Sequence, residues 1–197
     1  LPGPHPAHRP VAGSALALLA DPRLRRLLGV NALFSLGWEL QTIFIPVYGA
    51  SIGLTASAIG AVISAFAAAT FVVRFLMPLI ARHLRETQVL AGALVIAGVA
   101  YFALPFARSA EMLMLTSFGI GFGLGGGQPM VMSLLHTHAP PGRMGEAAGV
   151  RMSLAQSMAV AVPLVFGAFG ATFGLAPVLW SVGVCLTSGG LYARRRL

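Results

Sequence analysis

The sequence predicts an all-α integral membrane protein with six transmembrane helices, and three observations lead there. Hydrophobic residues make up 57% of the chain and charged residues 9%, where a soluble domain carries roughly a quarter charged residues to keep its surface wet. Six apolar runs each approach the roughly 20 residues that a helix needs to cross the hydrocarbon. The arginines gather between alternate runs instead of covering one solvated surface.

The runs are Leu27–Tyr48, Ser57–Ala81, Val89–Phe106, Met112–Leu135, Ala147–Gly170 and Leu175–Tyr192. The third is short, and Thr87 and Gln88 extend it. Asp21 before Pro22 fits an N-cap with proline at the first helical position. Residues 1–22 read as a cytoplasmic linker, with Leu1–Gly13 rich in Pro, His and Ala and Ser14–Ala20 forming a short helical piece. Residues 23–197 form the six-span unit. The sequence opens on leucine and shows no charged, apolar and cleavable regions in succession. That speaks against a signal peptide and for a longer chain upstream.

All 13 basic residues are arginines. Arg9, Arg23, Arg25 and Arg26 precede the first run, Arg82 and Arg85 follow the second, Arg143 the fourth, and Arg194, Arg195 and Arg196 the sixth. The opposite loops hold Arg108 alone. Arginine-rich loops stay in the cytoplasm, so both termini are expected there, as an even span count also requires. The net charge of +8 is therefore topological. A nucleic-acid partner would need that charge on one solvated face, and none is expected. Cys185, the single cysteine, lies in an apolar run and reads as a small buried hydrophobe.

Residues 121–129 read GFGLGGGQP and match the G-x-G-x-x-G of dinucleotide sites. That motif needs a preceding strand and turn and an acid about 20 residues on. Here the apolar run continues unbroken into the glycines, and the next acid, Glu146, lies beyond Pro140-Pro141. No nucleotide or other cofactor is expected. Gly119, Gly123 and Gly127 recur every four residues, with Gly121 and Gly125 alongside, a strip against which another helix can pack closely. Gly127, Gln128 and Pro129 then weaken the helix. Such backbone is tolerated at membrane depth only against protein or a water-filled cavity, so Gln128 either touches substrate or makes an interhelical hydrogen bond.

Glu39 stands near the middle of the first run, where an ionisable group is expensive and marks a functional site by default. Asn31, Ser35, Glu39 and Thr42 share helical spacing, with Trp38 and Gln41 on the flanks. A desolvated carboxyl there would hold its proton more tightly than in water, suiting it to carry one. The other reading is a neutral or ion-paired structural glutamate. Arg74 and Arg151 lie within the second and fifth runs. Each either snorkels to the interface, neutralises Glu39 or holds an anionic substrate. Gln156 and Pro163 also interrupt the fifth run. His136 and His138 lack a third ligand, so no metal site is expected, and no catalytic constellation of an intramembrane protease is present.

These residues resemble the major facilitator superfamily, specifically its C-terminal six-helix half. D-P-R-L-R-R-L-L-G-V-N resembles the end of the long central loop leading into the seventh helix. I-G-L-T-A-S-A-I-G-A-V-I-S resembles the opening of the eighth, and F-V-V-R-F-L-M-P-L-I-A-R-H-L-R a degenerate copy of the loop motif after it. G-F-G-L-G-G-G-Q-P is similar to the tenth helix, A-P-P-G-R-M-G-E-A-A-G-V-R to the loop that follows, and A-V-P-L-V-F-G-A-F-G to the eleventh. The loop motif lacks its usual Asp and central Gly. The resemblance implies a secondary transporter of small solutes in the bilayer, with two inverted three-helix repeats at about residues 27–106 and 112–192. Substrate would bind at the midplane between halves, with Glu39 facing the cavity. The six N-terminal helices, or a second copy, would supply the other half. The alternative is a stand-alone six-span homodimeric carrier or channel. The absence of lysine and of targeting signals suggests a bacterial inner membrane.

Overall fold

The computed structural model describes residues 15–196. Residues 1–14 and 197, and with them most of the expected linker, lie outside the described residues. A 3-10 turn, Ala15–Ala20, leads into α1, Pro22–Ser51. The Asp21 carboxylate accepts the Arg23 N–H at 2.8 Å and Pro22 opens the helix. Thr55 caps α2, Ala56–His83, by accepting the Ala58 N–H at 3.3 Å. α3, Glu86–Ala103, ends in a 3-10 turn at Leu104–Phe106. Ser109 caps α4, Ala110–Gly125, and α5, Gly127–His138, follows. α6, Met144–Phe173, and α7, Leu175–Arg196, are joined by Gly174 alone. Its φ of 85° is a value that glycine adopts readily and other residues rarely.

Five of these helices, the third with its terminal 3-10 turn, are long and apolar enough to cross a membrane. The fourth run corrects the expectation of one continuous span. It is divided at Gly126 into helices of 16 and 12 residues. At ~1.5 Å per residue neither reaches the ~30 Å of the hydrocarbon, so they cross together. The cause is local: position 129 is proline and has no N–H to donate to the Gly125 carbonyl.

α2 packs on α4, α1 on α6, α3 on both α7 and α4, and α1 on α7. Exchanging α1, α2 and α3 with α4/α5, α6 and α7 maps this set of pairings onto itself. At one end the Tyr48 hydroxyl donates to the Pro105 and Ala107 carbonyls at 3.0 and 3.3 Å. At the other, Arg26 Nη1 donates to the Arg196 carbonyl at 3.0 Å. There Arg23, Arg26, Thr87, His138 and Arg196 line a cavity of about 400 Å³. The starts of α1 and α3 and the ends of α5 and α7 therefore share one arginine-rich end. Midway, the buried Tyr101 hydroxyl donates to the Gly37 carbonyl at 2.6 Å and ties α3 to α1.

The glycines let backbones meet. A Cβ on Gly123 would stand 2.6 Å from the Ala93 carbonyl oxygen and 2.8 Å from the Ala97 nitrogen of α3, and one on Gly119 would stand 3.2 Å from Ala100 Cβ. Gly121 and Gly125 turn the other way, onto Phe66 and Thr70 of α2, while Gly127 sits on the Phe34 ring of α1. α3 and α7 meet through a second set that sequence reading missed: Gly98 lies against Gly183, and Gly190 against the Ala91 carbonyl. Cys185 is a correction. It is exposed, because Val178, Val182, Leu186 and Gly190 hold the buried face of α7.

Candidate functional site: a cavity between α2, α5 and α6

The break before α5 organises the most polar part of the bundle at membrane depth. Because Pro129 leaves the Gly125 carbonyl without its helical donor, Arg74 Nε takes it at 3.1 Å. The guanidinium of α2 is thereby pinned to the end of α4. On α6, Arg151 Nη1 donates to Asn31 Oδ1 of α1 at 3.3 Å. Two further donors at this junction, Arg151 Nε and Asn31 Nδ2, are buried without a hydrogen-bond partner among the described residues. Arg74, Gln128, Pro129 and Arg151, with Met77 and Pro78, line a cavity of about 660 Å³, and among the described residues no carboxylate lines it. Guanidinium keeps its proton in proteins, so two fixed positive charges face this space.

The structure therefore brings together Arg74, Arg151, Asn31 and Gln128, and places the other candidates apart from them. Glu39 is half-buried and lies eight residues, ~12 Å, along α1 from Asn31. Among the described residues it has no ion pair or hydrogen bond. The ion pair there is Arg143 with Glu146, with Nε to Oε2 at 3.1 Å. Neither membrane arginine is paired with Glu39. Ser35 is half-buried, and Trp38 stands edge-on to Phe66 with ring centroids 5.0 Å apart. Gln41 is in the core, 3% exposed, and among the described residues both of its side-chain polar atoms lack a partner. Thr42 is exposed and returns its hydroxyl to the Trp38 carbonyl. His138 Nδ1 lies 2.8 Å from the Leu134 carbonyl at the arginine-rich end, and among the described residues no three His, Cys, Asp or Glu side chains cluster as a metal site.

Gln156 is exposed on α6, and so are Ser153 and Ser157. The two serines were missed; their spacing around Gln156 was the available signal. Arg74 and Gln128 are likewise exposed, on α2 and α5, so the outer surface of these helices carries polar groups among residues that suit lipid. Only 6% of the most apolar stretch of α6 is buried within the bundle, against 50% for α1. Hydrocarbon offers such groups no hydrogen bonds, so this surface borders water or more protein.

No curated protein matches the chain. The sequence model of the Major Facilitator Superfamily matches residues 27–196, from the first turns of α1 to the last residue of α7; the chain belongs to that superfamily, whose members carry small solutes across membranes.

Proposed function

We propose that the chain is the C-terminal half of a proton-coupled secondary transporter working by alternating access, with its arginine-rich end and both termini in the cytoplasm of a bacterial cell. The observation that carries this reading is the outward polar surface of α2, α5 and α6, which needs a facing half to close a cavity. The self-mapping helix pairings support two inverted repeats, about residues 27–106 and 112–192. In such architectures substrate binds between halves near the midplane.

Glu39 is the coupling group in this reading. It is half-buried at mid-span and has no ion pair or hydrogen bond among the described residues. Coupling requires both protonation states, each favoured in a different access state. Glu39→Gln keeps shape and hydrogen bonding and removes the titration. In proteoliposomes of the complete transporter, Glu39→Gln is expected to abolish accumulation driven by an imposed pH gradient while substrate exchange continues. Undiminished gradient-driven accumulation would make Glu39 structural. Cross-links between the α6 surfaces of two copies of this chain would replace the missing half by a homodimeric carrier or channel.

A further inference from the structure

We propose that the cavity between α2, α5 and α6 binds a small anion, a carboxylate or phosphate group, between Arg74 and Arg151. The inference rests on the transporter reading and names the chemistry of its cargo. Three observations point to it. First, both guanidiniums line one cavity of about 660 Å³ whose remaining polar side chain is the amide of Gln128. Among the described residues the charges facing the space are both positive, so a cation is repelled, while a neutral solute leaves two membrane-depth charges uncompensated.

Second, the arginines are held by neutral acceptors. Arg74 spends Nε on the Gly125 carbonyl and Arg151 spends Nη1 on Asn31 Oδ1. Neither bond neutralises charge, and both leave further guanidinium N–H groups to donate. A guanidinium presents its donors as a planar fork that matches a carboxylate or phosphate edge. Third, the orphaned polar atoms beside Arg151 are donors: its own Nε and Nδ2 of Asn31, a residue 2% exposed. A buried donor without an acceptor is costly. An anion drawn against Arg151 supplies acceptors to a site that has an excess of donors.

The test is equilibrium binding to the complete purified protein at low ionic strength, measured by calorimetry with succinate, benzoate and inorganic phosphate, and with tetraphenylphosphonium as a cationic probe. At least one anion is expected to bind and the cation not to. The arms separate carboxylate from phosphate. Arg74→Gln and Arg151→Gln should each weaken the bound anion about 10- to 100-fold, the loss of a charge-assisted pair. Arg74→Lys and Arg151→Lys keep the charge without the fork and should retain part of the affinity; they serve if a glutamine variant does not elute as a single folded species. Binding of none of the three anions overturns the proposal. So does anion binding that survives both glutamine substitutions, or binding of the cation alone. The last outcomes leave the transporter reading standing, because binding is read without a gradient. Absence of any solute flux would sink the transporter reading and leave the binding result interpretable.

Discussion

Arg74 shows how a residue's role arises from chemistry that no window of sequence displays. Its position inside an apolar run was legible, and so was the choice between interface and cavity. What sequence does not display is that Pro129 strips the Gly125 carbonyl of its donor and that Arg74 Nε bonds it instead. Gln41 shows the converse. Sequence put it beside the polar stripe of α1, but α1 turns that position into the core, where neither polar atom of its side chain has a partner. Burying an unsatisfied amide costs about 1–3 kcal/mol. Gln41→Met keeps length and removes the amide, so it should raise stability against denaturing detergent, by about 1 kcal/mol after repacking losses. A fall in stability would show that the amide has a partner in the membrane-embedded protein.

At the scale of elements, glycine spacing announced close packing but not the partners. The period of four from Gly119 to Gly127 was visible, yet consecutive strips on one helix turn to different neighbours, α3 and α2, and the last glycine reaches α1. The α3–α7 contact was not read, because Gly98 stands on a different run from Gly183 and Gly190, and the seven-residue spacing of the latter pair does not name its partner. Space, not spacing, sets the consequence of a substitution. Gly123→Ala drives a methyl into α3 backbone, which cannot yield as a flexible side chain would, and should destabilise by about 1–3 kcal/mol. Gly92→Ala, with nothing within 4 Å of the new methyl, should be neutral or gain up to ~1 kcal/mol of helix propensity. Thermal melting of both variants in one detergent checks the contrast; equal shifts would refute it.

For the whole molecule, hydropathy read out all six membrane-crossing segments, because crossing hydrocarbon constrains composition more tightly than any fold does. The division at Gly126 escaped as a boundary although its residues were noticed, since the missing Pro129 N–H acts four residues back, on the Gly125 carbonyl. Sidedness is the remaining whole-molecule property, and two independent features address it. The arginines cluster in alternate loops, and the structure gathers the start of α1, the α2–α3 connection and the ends of α5 and α7 at one end. Each cytoplasmic arginine near a span resists translocation, so that end should stay inside. Single cysteines test it in a Cys185→Ser background. Replacing Cys185 is required because the thiol is exposed on α7, and its exposure makes a serine there mild. Cysteines at Thr55, in the α1–α2 connection, and at Thr172, in the last turn of α6, should react with an impermeant maleimide added outside intact cells. A cysteine at Arg85, in the α2–α3 connection, should react only after permeabilisation. The reverse pattern would place the arginine-rich end outside and sink the topology. Labelling of all three from outside would mean that the helices do not span as a six-crossing unit, and the cavity between α2, α5 and α6 would lose its membrane setting with them.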